Sequence, residues 1–164
     1  MKVNRDSAIA FGAGLACIAL VVGGIVFMQR GDRIELPGKI LKVRTAPLDE
    51  NSAVAVIDFR ITNPSGVQFM VRTVSVEMDD NEGKSYLGDV AADVDAVRLF
   101  EAVPALGQKF LKTLMAQERI AAHDSQDRMV TARFQAPISK LEARKRFVVR
   151  IEEVDGKSFE YPER

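Results

Sequence analysis

Few residues of this chain have the types and spacing that chemistry demands. His123-Asp124-Ser125 holds the three residue types of a nucleophilic triad. Such a relay needs nucleophile, base and orienting acid to converge from separated segments, which three adjacent residues cannot do. The sequence therefore reads as a loop histidine followed by two turn residues. Asp79, Asp80 and Glu82, in the run Asp79-Asp80-Asn81-Glu82-Gly83-Lys84, could offer oxygens to calcium. One short loop supplies too few fixed ligands, so a solvated turn is expected. Asp93 and Asp95 read as acids at a helix start, where the helix dipole favours them. Arg144-Lys145-Arg146 is the one basic cluster, and it reads as a charged helix end. A single cysteine rules out an intramolecular disulfide, a thiolate zinc site and a CxxC pair. A single histidine leaves little for an imidazole-based metal site. No phosphate-cradling glycine loop, HExxH or GxSxG occurs. The expectation is no enzyme, no catalytic residue, no cofactor and no metal.

The frame that would position any site is set by length and charge. The 164 residues make room for one domain of common size plus a tail. Lysine and arginine (23) balance aspartate and glutamate (23), and the basic residues are dispersed, so no nucleic-acid partner is expected. Hydrophobic residues at 47% and charged residues at 28% exclude wholesale disorder.

The strongest single signal is the run Ala8 to Met28, which lacks any charged or strongly polar side chain. As a helix it would rise about 31 Å, close to the hydrocarbon thickness of a bilayer. A helix is also how one segment satisfies its backbone in lipid. The expected organisation is a tail over 1–7, a transmembrane helix over 8–28, a linker over 29–37 and a domain over 38–164. A cleaved signal peptide would need a small-x-small site, which Gln29-Arg30-Gly31-Asp32-Arg33 does not offer. Cys17, behind Gly14-Leu15-Ala16, lies too deep in the apolar run for a lipid-attachment site and reads as a small hydrophobe. Small residues four apart (Ala8, Gly12 and Ala16; Ala19 and Gly23) either let two such helices pack as a homo-oligomer or reflect composition alone. Lysines and arginines after the span, read strictly, point to a cytoplasmic domain. The short basic lead points to translocation, and a periplasmic or extracellular domain at the cell membrane is the expectation adopted.

Beyond Gly38 the period becomes that of strands. In Ala53–Thr62, Ala55, Ile57, Phe59 and Ile61 share one face, and Val56, Asp58, Arg60 and Thr62 share a mostly polar one. That alternation predicts one face in a core and one in water. Asn63-Pro64-Ser65-Gly66 ends the strand in a turn. From Val67 to Met78 the apolar parity flips near Arg72-Thr73, which predicts a β-bulge or a switch between sheets. Asp93 is expected to cap a helix carrying Val94, Val97 and Phe100. Leu106, Phe110, Leu111, Leu114 and Met115 predict a second, giving a helical insertion over about 93–118. Ser139 suits the cap of one helical turn, and Val154-Asp155-Gly156 marks a closing hairpin. Six or seven short strands predict an all-β domain, an immunoglobulin-like antiparallel β-sandwich with one helical insertion.

Ile61-Thr62-Asn63-Pro64-Ser65, followed by Val71-Arg72-Thr73-Val74-Ser75-Val76-Glu77-Met78, resembles the LEA-2 family and its water stress and hypersensitive response (WHy) domain. Asn81-Glu82-Gly83-Lys84 and Gly88 stand where that pattern places its glycine-containing hairpin. Ser125 to Phe134 and Phe147 to Phe159 are similar to its closing strands. The resemblance spans most of 38–161 and departs from the family over 93–118. It implies an immunoglobulin-like sandwich, often membrane-tethered, with stress-tolerance or envelope roles. It implies no catalytic residue, and it makes Asn63 and Pro64 fold-forming turn residues.

Three functions follow as expectations. The first is a non-catalytic tethered interaction or scaffold module with a protein partner in the envelope. The second, from the resemblance, is a stress-protective protein. The third is a lipid or small apolar ligand carrier whose cleft Phe100, Leu106 and Phe110 would cover.

Overall fold

Between Gly38 and Pro162 the chain runs as strands interrupted by two short helices, in a computed structural model that describes residues 14–24 and 35–163. The strands are β1 (Gly38–Pro47), β2 (Ala53–Thr62), β3 (Phe69–Asp79), β4 (Ser85–Val90), β5 (Arg119–Ile120), β6 (Ser125–Phe134), β7 (Arg146–Glu153) and β8 (Ser158–Pro162). The helices are α1 (Asp93–Ala102) and α2 (Ile138–Glu142). Every strand pair is antiparallel, in the order β1-β2-β6-β4-β3-β7-β8, with β5 against β3. The all-β, antiparallel expectation is met.

β4 joins the two halves of the sheet. Its first part pairs with β3, Ser85 opposite Asp79, and its last residues pair with β6, Val90 opposite Ala132. The sheet curls into a half-barrel, so β1 and β8, at opposite ends of the order, lie side by side. The Tyr161 hydroxyl donates to the Leu36 carbonyl at 2.6 Å, and the Phe59 and Tyr161 rings stack at 6.4 Å. Inside the curl lie Phe59, Phe69, Phe134 and Phe147, all fully buried, with Phe134 against Phe147 at 5.5 Å. The parity flip in β3 is a bulge between Val71 and Thr73 in its pairing with β7, which keeps Val71, Val76 and Met78 all in the core. The β7–β8 hairpin turns at Gly156, whose φ of 87° suits glycine.

The polar face expected for β2 reaches water only at its Arg60 and Thr62 end. Val54 and Val56 are fully buried there, and Asp58 is nearly so. The reason is the insertion. Ala96 and Phe100 of α1, with Leu106, pack over Val54, Val56 and Met129 and form a second apolar layer outside the sheet. Alternation alone could not reveal it, because the covering residues lie some forty positions downstream.

The insertion is less helical than its spacing suggests. After α1 comes a single 3-10 turn, Pro104–Leu106, closed by Gly107 at φ 74°. The chain then runs without helix, through a bend at Leu111. The Met129 amide donates to the Lys112 carbonyl and the Leu114 amide to that of Met129, so backbone pairing with β6 replaces the expected second helix. Ala92, not Asp93, occupies the position before α1, and Pro137, not Ser139, the one before α2.

Glu35–Arg164 forms one compact unit, and Met1–Ile34 forms another. In the latter, residues 14–24 are helical, and Leu15, Ile18, Leu20, Val21 and Val22 are exposed. Among the described residues no helix is long and apolar enough to cross a membrane. Both ends of the expected 8–28 span, the tail over 1–7, Ala8 and Gly12, and most of the expected linker lie outside the described residues.

Candidate functional site

Of the groups that sequence singled out for chemistry, Asp79 and Arg146 are brought together at 2.7 Å. His123 sits in a loop at φ 58°, with its amide on the Ser65 carbonyl. The Ser125 hydroxyl meets that of Thr62 at 2.8 Å, and the Asp124 carboxylate binds Gln126. No relay joins the three. In the β3–β4 turn, the Ser85 hydroxyl and Arg146 guanidinium hold Asp79 below the usual carboxylate range. The Lys84 and Glu82 amides, each 2.9 Å from one Asp80 oxygen, do the same for Asp80 against a smaller opposing effect of burial. These carboxylates are spent on holding the turn. Among the described residues no group of three or more His, Cys, Asp or Glu is placed to hold a metal ion.

Asn63 is the centre of the most connected polar cluster. It is fully buried. Its Nδ2 donates toward the carbonyls of Val67 at 2.8 Å, Ala121 at 3.0 Å and Ile120 at 3.2 Å. Its Oδ1 accepts from the Ser65 amide and hydroxyl, and its own amide donates to the Asp124 carbonyl. One side chain thus ties the turn after β2 to the loop between β5 and β6. Pro64 follows it, exposed at the surface.

A second cluster holds the insertion. Arg44 of β1 reaches across its strand, bonding both Asp58 oxygens at 3.0 and 3.1 Å and the Leu106 and Gln108 carbonyls at 2.9 Å. Its guanidinium lies 5.1 Å from the Phe100 ring centroid. Of the three residues expected to cover a cleft, Phe100 and Leu106 are packed into the outer apolar layer, whereas Phe110 is 77% exposed. No cleft lies beneath the pair, because Val54, Val56 and Met129 fill that space.

Glu153 ends β7 on its inward face, 3% exposed, with Oε2 unpaired. Burial, helped by Asp155, pushes its carboxyl above the ordinary 4.5. The unfolded chain therefore releases this proton first as pH rises, and folding loses stability from about pH 4.5 up through the folded value. Glu153→Gln is expected to gain about 1 kcal/mol over the parent at pH 7 and little at pH 4, in urea unfolding followed by circular dichroism. A difference that does not change with pH contradicts this.

An open groove of about 680 Å³ lies between β1 and β8, flanked by Gly38–Val43 and by Glu160, Pro162 and Glu163. Gly38 is the close approach at one end. A Cβ there would stand 2.5 Å from the Arg60 carbonyl oxygen and 2.6 Å from the Tyr161 ring. Glu163 is pushed up by burial, yet Arg144 and the Phe147 amide outweigh this and hold it below its ordinary value. Lys39, Lys42, Arg60, Glu160 and Glu163 are charged residues of the groove's lining. No protein-family model matches this chain, and no curated protein matches it at a significant level.

Proposed function

We propose that this protein is a non-catalytic envelope protein, held at the membrane by its 8–28 segment, whose β-domain is an interaction or scaffold module. The carrying observation is the unpaired edge of β1 beside an open groove, in a domain whose most connected polar side chains are engaged in holding the fold. The membrane part is supported by the uncharged run from Ala8 to Met28 and by the exposed apolar side chains of residues 14–24. On this reading the span crosses once, the domain lies in the periplasm or outside the cell, and self-association through the span is an added option. The curled sheet, with β4 shared between β3 and β6, supports an immunoglobulin-like sandwich of LEA-2 or WHy type, and the Asn63-Pro64 turn is its local mark.

The test is mild crosslinking of cells that produce the full chain, followed by affinity recovery. Reproducible recovery of an envelope protein is the expected result. Recovery of no partner in repeated trials, or of cytoplasmic proteins alone, counts against the reading.

A further inference from the structure

We propose that the free edge of β1 takes up an extended, acidic segment of a partner protein as an added strand, with Lys39 and Lys42 reading its carboxylates. This rests on the interaction-module reading and names its surface and partner chemistry. β1 and β8 are the two ends of the sheet order, so among the described residues each has one side without a strand neighbour, and the groove lies between them. A strand addition uses the main-chain groups of such an edge for affinity and side chains for selection.

Of the two edges, β1 is the one fitted for pairing. β8 carries Pro162, which has no N–H to give. β1 has no proline from Gly38 to Ala46. The Thr62 amide donates to the Pro37 carbonyl at 2.9 Å, which fixes the phase of the β1–β2 ladder. By the alternation of an antiparallel pair, Lys39 then bonds to β2, and the main-chain groups of Gly38 and Ile40 turn to the groove.

Charge selects the occupant. Three of the charged groups flanking the groove are already neutralised: Arg60 by Asp127 at 2.6 Å, Glu160 by Arg150 at 2.9 Å and Glu163 by Arg144 at 2.6 Å. Lys39 and Lys42 are exposed and form no ion pair among the described residues. An uninterrupted strand would send residues 39 and 42 to opposite faces. The irregularity between Ile40 and Lys42 inserts one extra residue, so both lysines share a face, and it leaves Leu41 42% exposed. A second copy of β1 pairing antiparallel here would set lysine against lysine, the device by which edge strands avoid self-association. An acidic strand turns the same positions into favourable cross-strand pairs.

The test pans a displayed library of random twelve-residue peptides on the purified full-length chain. The expected pool alternates β-forming residues with Asp or Glu and binds a Lys39→Glu/Lys42→Glu variant at least tenfold more weakly. A selected peptide, added to the parent, is expected to slow amide exchange at Gly38 and Ile40. Both lysines are exposed, so circular dichroism should match the parent; Lys39→Ala/Lys42→Ala serves if it does not. A pool that is basic or uncharged, no pool at all, affinity indifferent to both double variants, or exchange protection only elsewhere overturns the proposal. Any of these results with an envelope partner still recovered by crosslinking removes the strand-addition proposal alone. Loss of that partner as well removes the interaction-module reading with it.

Discussion

Asn63→Ala is expected to lower the unfolding free energy of the β-domain by about 3 kcal/mol, and Asn63→Asp by more at neutral pH. Alanine abandons the carbonyls of Val67, Ile120 and Ala121 and the Ser65 amide, in a position without access to water. Aspartate keeps the shape and the acceptor but loses both donor hydrogens, and it sets a charge against carbonyl oxygens. That raises the folded pKa of the introduced acid. The unfolded chain then gives up the proton first as pH rises, so the aspartate variant loses stability upward from the ordinary carboxylate value and recovers part of it in acid. The alanine variant shows no such recovery. Urea unfolding of both variants between pH 4 and pH 7 reads the difference. A loss under about 1 kcal/mol for alanine, or parallel pH profiles for the two variants, contradicts the clamp.

Arg44→Met is expected to be nearly as damaging, at about 2–3 kcal/mol. The side chains of Arg44 and Asp58 are 11% and 13% exposed, so the loss falls somewhat short of a fully buried pair. Methionine leaves Asp58 with no counter-charge and frees the Leu106 and Gln108 carbonyls. It also takes the cation from Phe100. The insertion should loosen before the sheet does, because Arg44 is the side-chain tie of its Leu106–Gln108 part, while Lys112 and Leu114 are held by backbone bonds to Met129. Limited proteolysis should therefore cut the variant first between Val103 and Glu118. Adding Asp58→Leu removes the stranded charge and should restore part of the stability. A double variant worse than the sum of its singles, or cleavage unchanged from the parent, goes against this role.

Much of the β architecture could be read from sequence because it is written locally. Proline and glycine punctuation gave the turns at Asn63-Pro64 and Asp155-Gly156, and the parity flip of Val71 against Val76 gave the bulge. What could not be read was written between distant segments. The outer layer over Val54 and Val56 depends on Phe100 and Leu106, and no pattern within β2 announces them. The one local hint was Asp58, a lone acid inside an apolar strand, which needed a partner and found it in Arg44. The apolar spacing at Leu106, Phe110, Leu111 and Leu114 predicted a helix that Gly107 and the pairing with Met129 prevent. For the same reason Phe110 was misplaced. Outside a helix it shares no apolar stripe with Leu106 and Leu114, and it lies exposed to solvent. The groove was invisible to sequence, because it exists only once the sheet curls far enough to bring β1 beside β8.

The account stands on a β-domain tethered to lipid through its N-terminal segment, and washing membranes from producing cells with alkaline carbonate tests that most directly. The full chain should remain with the sedimented membranes, while a version lacking residues 8–28 should be released with the circular dichroism of an intact β-fold. Full-length protein freed into the supernatant by the wash would contradict the tether.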